Sequence, residues 1–232
     1  MSGKGLVCSL LLCGLLAGCG SIAVDGTEEM ESEERYVALT FDDGPRRETT
    51  ERLLDGLRER GASATFFLVG EQIGQQVDLV QRMAAEGHQV GNHSWTHVQL
   101  EGLPLETAQE EVRRTDQQLK EILGEGSYWL RPPYGRIGED RSWVPVPLVI
   151  WSVDSRDWES RSADAASREI LEAVQPNDII LMHDLYESSV DAALRVVDAL
   201  QDQGYVFVTV RELLALNGVE PEPGALYHNG KG

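Results

Sequence analysis

Cysteine is scarce and confined to one place: three in 232 residues, Cys8, Cys13 and Cys19, all within the first nineteen. None remains in the body of the chain to form a disulfide framework. Basic residues are also few, 20 against 39 acidic, for a formal charge of −19. That deficit excludes nucleic acid as a partner, because such binding depends on Lys and Arg neutralising phosphates. Anionic polymers and anionic membrane surfaces are disfavoured for the same reason, which leaves neutral sugars, peptides and cationic ligands. Long hydrophobic runs are missing too. The longest, residues 6–17, is shorter than the roughly 20 apolar residues a membrane span needs. No internal repeat and no Gly-rich phosphate loop is found. What is present, 41% apolar and 25% charged residues, is an ordinary globular balance, in a chain long enough to bury a core unaided.

The N-terminus reads as an address. Lys4 is the only charge before Asp25, and the apolar run that follows it ends in Leu16-Ala17-Gly18-Cys19. One positive charge, an apolar stretch and then small residues form a secretory signal. The last four residues resemble a bacterial lipobox, which implies cleavage before Cys19 and its acylation. Residues 1–18 are thus expected to be a lipoprotein signal peptide, and the membrane is expected to be met through the lipid anchor only. Residues 19–35 follow as a lipidated, acidic tether. From Asp25 to Glu34 there are six acids and no base, a run that repels itself and stays solvated.

From Tyr36 onward strand and helix periodicities alternate. Strands are predicted at 36–41, 64–69, 88–92, 128–130, 147–153, 178–182 and 205–210. Helices are predicted at 49–60, 72–86, 105–123, 163–174, 190–203 and 211–216. This alternation indicates an α/β fold with a parallel sheet, closed as a barrel or doubly wound. A single domain is expected over 36–216, with a loose Gly/Pro-rich tail at 217–232.

In parallel α/β folds the chemistry sits at the C-terminal ends of strands. Five predicted strand ends carry Asp42-Asp43, His93 with His97, Arg131 with Tyr134, Asp154 through Trp158, and His183. Three of the five histidines in the chain are among them. On one helical turn the i, i+4 spacing of His93 and His97 would put both imidazoles on one side, as a two-His metal site requires. A carboxylate from Asp42-Asp43 is the natural third ligand, and the neighbouring aspartate is placed to take a proton from activated water. Taken singly, each has a plainer reading: a surface histidine pair, an Asx-type turn at Gly44-Pro45, a core histidine at 183, a structural ion pair at Arg131.

Together, Thr40-Phe41-Asp42-Asp43-Gly44-Pro45, His93-Ser94-Trp95-Thr96-His97, Arg131-Pro132-Pro133-Tyr134-Gly135, Trp151 through Trp158 and Leu181-Met182-His183-Asp184 resemble the five ordered motifs of the NodB-homology polysaccharide deacetylases, carbohydrate esterase family four. The resemblance implies a distorted (β/α) barrel of about seven parallel strands. It also implies a divalent metal, usually zinc with cobalt or another divalent ion as substitute, and hydrolysis of N-acetyl groups from a glycan. Carried over by residue, Asp42 is the general base and Asp43, His93 and His97 are the metal ligands. Arg131 and Asp154 orient the base and the acid, and His183 is the general acid. The backbone N–H of Tyr134 supports the oxyanion, Trp158 and Leu181 line the acetyl pocket, and Ser94 steadies the metal loop.

The motifs lie nearer to those of peptidoglycan N-acetylglucosamine deacetylases than to fungal chitin enzymes, so peptidoglycan is the expected substrate and a monomer the expected state. Chitooligosaccharide, acetylated xylan and a non-catalytic glycan-binding lipoprotein are the alternatives. One departure stands out. Only residues 136–150 separate the third motif from the fourth, with Pro145, Pro147 and Trp143 in place of a full helix, so this groove wall is expected to be irregular.

Overall fold

The computed structural model describes residues 34–232, which form one compact unit. The expected signal peptide, Cys19 and nearly all of the acidic tether lie outside the described residues. The first strand, β1 (Arg35–Asp42), explains the architecture that follows. Its residues alternate between two apolar environments. Val37, Leu39 and Phe41 pack outward with helical leucines, while Ala38 packs inward with Phe67 and Ile179. A strand buried on both faces belongs to a parallel sheet covered by helices.

The chain continues through α1 (Arg47–Glu59), β2 (Thr65–Leu68), α2 (Gly70–Ile73), α3 (Val77–Ala85), β3 (Gln89–Asn92) and α4 (Leu105–Leu123). Then come β4 (Leu148–Val149), β5 (Val153–Asp154), α5 (Asp157–Ser160), α6 (Ala163–Ala173) and β6 (Ile179–His183). The order ends with α7 (Glu187–Gln201), β7 (Tyr205–Phe207), α8 (Val210–Leu216) and β8 (Leu226–Tyr227). The helices form where apolar side chains recur at helical spacing. In α1, Leu53, Leu54 and Leu57 are fully buried, each burial being worth about 1.5–3 kcal/mol. α8 opens with a capping box between Thr209 and Glu212. The single helix predicted over 72–86 is two, because Gln76 leaves helical geometry between them.

All ladders in the barrel are parallel. β1 pairs with β2 on one edge and β6 on the other, and β2 pairs with β3. Leu130 then bridges Asn92 and Leu148, so that single-residue contacts stand in for the predicted strand 128–130. The predicted strand 147–153 breaks into β4 and β5 because its partner changes. β4 pairs with β8, Ile150 donates to the Tyr227 carbonyl, and β5 pairs with β6. β7 and β8 act as wedges, β7 against the start of β1 and β8 between β4 and the residues before β6. Two wedges in a ring of short staves make the barrel a distorted one. α8 supplies Val210, Leu213 and Leu214 to the inner core cluster.

The C-terminal segment corrects the expectation of a loose tail at 217–232. Tyr227 is buried, its hydroxyl accepts from the Glu222 amide, and Gly230 donates to the Asn177 carbonyl at 2.7 Å. The barrel domain therefore extends beyond 216. Composition suggested a tail, but parallel pairing with β4 at 226–227 ties it down. Residues 136–147 carry no α-helix, as expected. Instead Ile137 and Val144 pack on Leu130 and Leu148. No helix among the described residues is long and apolar enough to cross a membrane.

Candidate active site

Strand register gathers the predicted residues on one rim. Asp42 ends β1 level with His183 at the end of β6, and Asp154 is level with Leu181. His93 follows β3, and the amide of Arg131 donates to the Asn92 carbonyl at 3.0 Å. A groove of about 680 Å³ opens there, lined by Asp42, Asp43, His93, His97 and His183, with Tyr134, Trp158 and Leu181 on its walls. Arg131 lies beneath it, fully buried.

The Asp43 Oδ1 atom lies 3.4 Å from His93 Nε2 and 3.1 Å from His97 Nε2. The Nδ1 atom of His93 is 2.6 Å from the Arg131 carbonyl. A carbonyl only accepts, so Nδ1 carries the proton and the neutral ring presents an Nε2 lone pair to Asp43. The Asp43 Oδ1 atom is itself buried without a hydrogen-bond partner of good geometry. Lone pairs converging on an orphaned carboxylate oxygen, all within 4.8 Å, make a site that fits a divalent cation. Burial alone would raise the Asp43 pKa, but imidazoles in their charged form would outweigh it and hold the carboxyl well below its usual range.

The two histidines do not share a helical turn, which corrects the geometry read from their spacing. They sit on a loop in which Ser94 (φ 62°) and His97 (φ 60°) are left-handed. Asn92 Oδ1 accepts from the Ser94 amide, and Ser94 Oγ accepts from the His97 amide at 3.1 Å. The expected steadying role of Ser94 thus has a definite bond. Trp95 packs under the Arg114 guanidinium, 4.0 Å from it.

Arg131 donates from Nη1 to Asp42 Oδ1 at 2.8 Å and to Thr40 Oγ1 at 2.7 Å, and from Nη2 to the Ile150 carbonyl at 2.9 Å. Its guanidinium also stacks over Phe67. One Asp42 oxygen is therefore fixed, while the other lies 3.7 Å from His93 Nε2.

His183 is held by Asp157, not by Asp154 as the sequence suggested. Its Nδ1 is 2.8 Å from Asp157 Oδ1, and its backbone amide donates to Asp157 Oδ2 at 2.9 Å. Asp154 lines the groove but accepts from the Arg156 amide two residues on. Arg156 is left-handed (φ 52°), which turns the chain into α5 and swings Asp157 inward. Burial opposes the charge on His183, yet Asp157 and, more weakly, Asp42 and Asp43 push its pKa up to about 9.

Tyr134, also left-handed, sets its ring edge-on to His97 with centroids 4.9 Å apart. Trp158 is half exposed and Leu181 is buried, both facing the groove. Sequence reasoning gave no role to Asp184, yet it locks the turn after β1. It is fully buried, accepts from the Thr50 hydroxyl and lies where a Cβ on Gly44 would be 2.5 Å away. Burial pushes it up to about 7. Its place directly after His183 was the available signal.

Residues 29–144 match the family described as polysaccharide deacetylase. The chain is 36% identical over 193 residues to the peptidoglycan-N-acetylmuramic acid deacetylase PdaC of Bacillus subtilis, covering 83% of this chain and 41% of that protein. It thus spans about two fifths of that relative's length. It resembles the solved T48 deacetylase with substrate at a TM-score of 0.80 and 42% identity, over 84% of this chain and 96% of that one. It also resembles a family 4 acetyl xylan esterase from Clostridium thermocellum in complex with a cobalt ion. There the TM-score is 0.78 at 29% identity, over 84% and 98% of the two chains. This chain belongs to the polysaccharide deacetylase family, and its distorted barrel is the one the five motifs imply.

Proposed function

We propose that the protein hydrolyses N-acetyl groups from an N-acetylglucosamine-containing glycan, peptidoglycan foremost, releasing acetate and a free amine. The observation that carries this reading is the pairing of two reacting groups, each on its own buried partner, beside a cation-type trio. Asp42 rests on Arg131 and His183 on Asp157, and both open into the groove that holds Asp43, His93 and His97.

Asp43, His93 and His97 would hold the metal, with zinc our assignment. When bound, a divalent ion polarises a carbonyl and makes water more acidic. Asp42 takes the proton of the attacking water through the oxygen that Arg131 leaves free. His183 carries a proton toward the groove and gives it to the departing nitrogen, a poor leaving group until protonated. The Tyr134 amide donates to the developing oxyanion. Trp158 and Leu181 accept the acetyl methyl, and Asp157 keeps His183 charged and oriented. Acylation at Cys19 would anchor the enzyme outside the cytoplasm, where peptidoglycan lies.

The test is acetate release from purified peptidoglycan, chitooligosaccharide and acetylated xylan, with zinc and with chelator. Chelator-sensitive release from peptidoglycan is expected. Release from xylan alone would make the protein an O-deacetylase instead. His183→Ala is expected to abolish amide hydrolysis while metal still binds, and unchanged turnover would remove the acid from this scheme. Asp42→Asn separates an enzyme from a glycan-binding protein, because only the enzyme loses a measurable property.

A further inference from the structure

Among the described residues that line the groove, Arg136 is the one with a permanent positive charge. The wall that carries it is built to hold it in place. Pro132 and Pro133 lead into a tight turn in which Gly135 donates to the Pro132 carbonyl at 3.0 Å and Arg136 to the Pro133 carbonyl at 3.2 Å. The same turn presses Tyr134 against His97, so Arg136 stands two residues from a side chain that touches the metal trio. Among the described residues, no carboxylate hydrogen-bonds its guanidinium. Glu101 is its nearest acidic partner at 3.8 Å, and both side chains are largely exposed, an arrangement that contributes next to nothing.

Four arginines away from the groove differ in this respect. Arg47, Arg52, Arg60 and Arg82 on α1, α3 and the residue after α1 all close on carboxylates at 2.7 Å or less. The acids of the groove are engaged as well: Asp42 with Arg131, Asp43 with the two histidines, Asp154 with the Arg156 amide. An arginine without a close carboxylate partner therefore lines the groove of a protein of net charge −19. The field of that net charge is screened within about 8 Å at physiological ionic strength, whereas a contact inside the groove is not. The planar fork of Arg matches a carboxylate in a way a diffuse field does not.

We propose that Arg136 is a specificity residue that takes a carboxylate carried by the glycan near the acetamide being cut. This rests on the deacetylase reading. Two sources have that chemistry: the lactyl acid of a muramic residue without peptide, and an acid of an attached peptide. Arg136 gives an acidic enzyme a local means of accepting an acidic strand, and it favours such strands over neutral N-acetylglucosamine oligomers.

The test uses the zinc-supplied protein and four glycans of equal length: peptide-free strands of alternating N-acetylglucosamine and N-acetylmuramic acid, the same strands with carboxyls reduced to alcohols, peptide-bearing strands, and a neutral N-acetylglucosamine oligomer. The expected result for Arg136→Ala is a rise in KM for carboxylated strands about ten- to a hundredfold greater than any change on the neutral oligomer. On carboxyl-reduced strands the wild type and Arg136→Ala should no longer differ beyond what they do on the neutral oligomer. Arg136→Lys, which keeps the charge and loses the fork, should fall between. A larger loss on peptide-free strands names the lactyl acid, and a larger loss on peptide-bearing strands names the peptide. An equal loss on all four glycans overturns the proposal. Calorimetry on the Asp42→Asn protein with native and carboxyl-reduced strands makes the same comparison without turnover. Carboxylate-dependent binding with no acetate release in the wild type would overturn the hydrolytic reading alone. Acetate release with no carboxylate dependence would overturn the Arg136 assignment alone.

Discussion

A three-residue step, from Asp154 to Asp157, decides which carboxylate governs His183. Asp157→Asn removes the charge that keeps the imidazole protonated and leaves its orientation nearly intact, so turnover should fall by about 10²–10⁴-fold with metal affinity unchanged. Asp154→Asn should retain most of kcat, and equal losses from the two variants would reject this division. The pH dependence has a definite sign. As the proposed general acid His183 would act only when protonated, so the rate is expected to fall as pH rises through its pKa, about 9 before a cation is bound. A bound cation offsets the Asp43 charge and brings that alkaline limb lower, while Asp157→Asn lowers it further. A pH–rate profile of both proteins measures this. Asp42, Asp43, His93 and His183 were legible because each sits at or directly after a strand end, whereas His97 and Arg131 were legible only through the motifs they belong to. Asp157 was not, because its direction depends on the left-handed Arg156, which a sequence of ordinary residues does not announce.

Loops at the rim carry backbone geometry that periodicity does not reveal. Asp43, Ser94, His97 and Tyr134 are all left-handed without being glycine, a conformation costing about 1 kcal/mol or more at each. Hydrogen bonds accepted by the Asn92 and Ser94 side chains offset part of that cost in the histidine loop, which explains why an i, i+4 pair works there without a helix. The turn after β1 depends on Asp184 in a similar way. Its folded pKa, about 7, is raised above its ordinary value, so its contribution is most favourable below about pH 4 and is lost as pH rises through 7. Asp184→Asn keeps an acceptor for Thr50 and removes that loss. Thermal unfolding from pH 4 to 8 should therefore be flatter for the variant, with a higher Tm at pH 8. A steeper profile in the variant would contradict this account.

At the scale of the molecule, strand and helix order was legible almost throughout, since burial on both faces of β1 and the apolar stripes of the helices leave plain patterns. The closing segment was not. A two-residue strand at 226–227 has no periodicity to read, and its pairing partners, Leu148 and Val149, lie far away in sequence. Ending the chain at Leu216 is expected to lower stability by at least about 3–5 kcal/mol, the scale for losing one buried ring such as Tyr227. It should also promote aggregation through the exposed edge of β4. Tyr227→Ala in the whole chain should show most of the loss in thermal melts without the aggregation.

β8 also sets the timing of folding during synthesis. A nascent chain can assemble β1, β2 and β3 early, since their pairings span short stretches of sequence, but the gap beside β4 stays open until residue 229 is free to reach Asp178. Until then the ring has an unclosed seam, and each chain on a crowded ribosome carries an edge that another copy can capture. The barrel is sealed late, by a strand that is made only after every stave it joins.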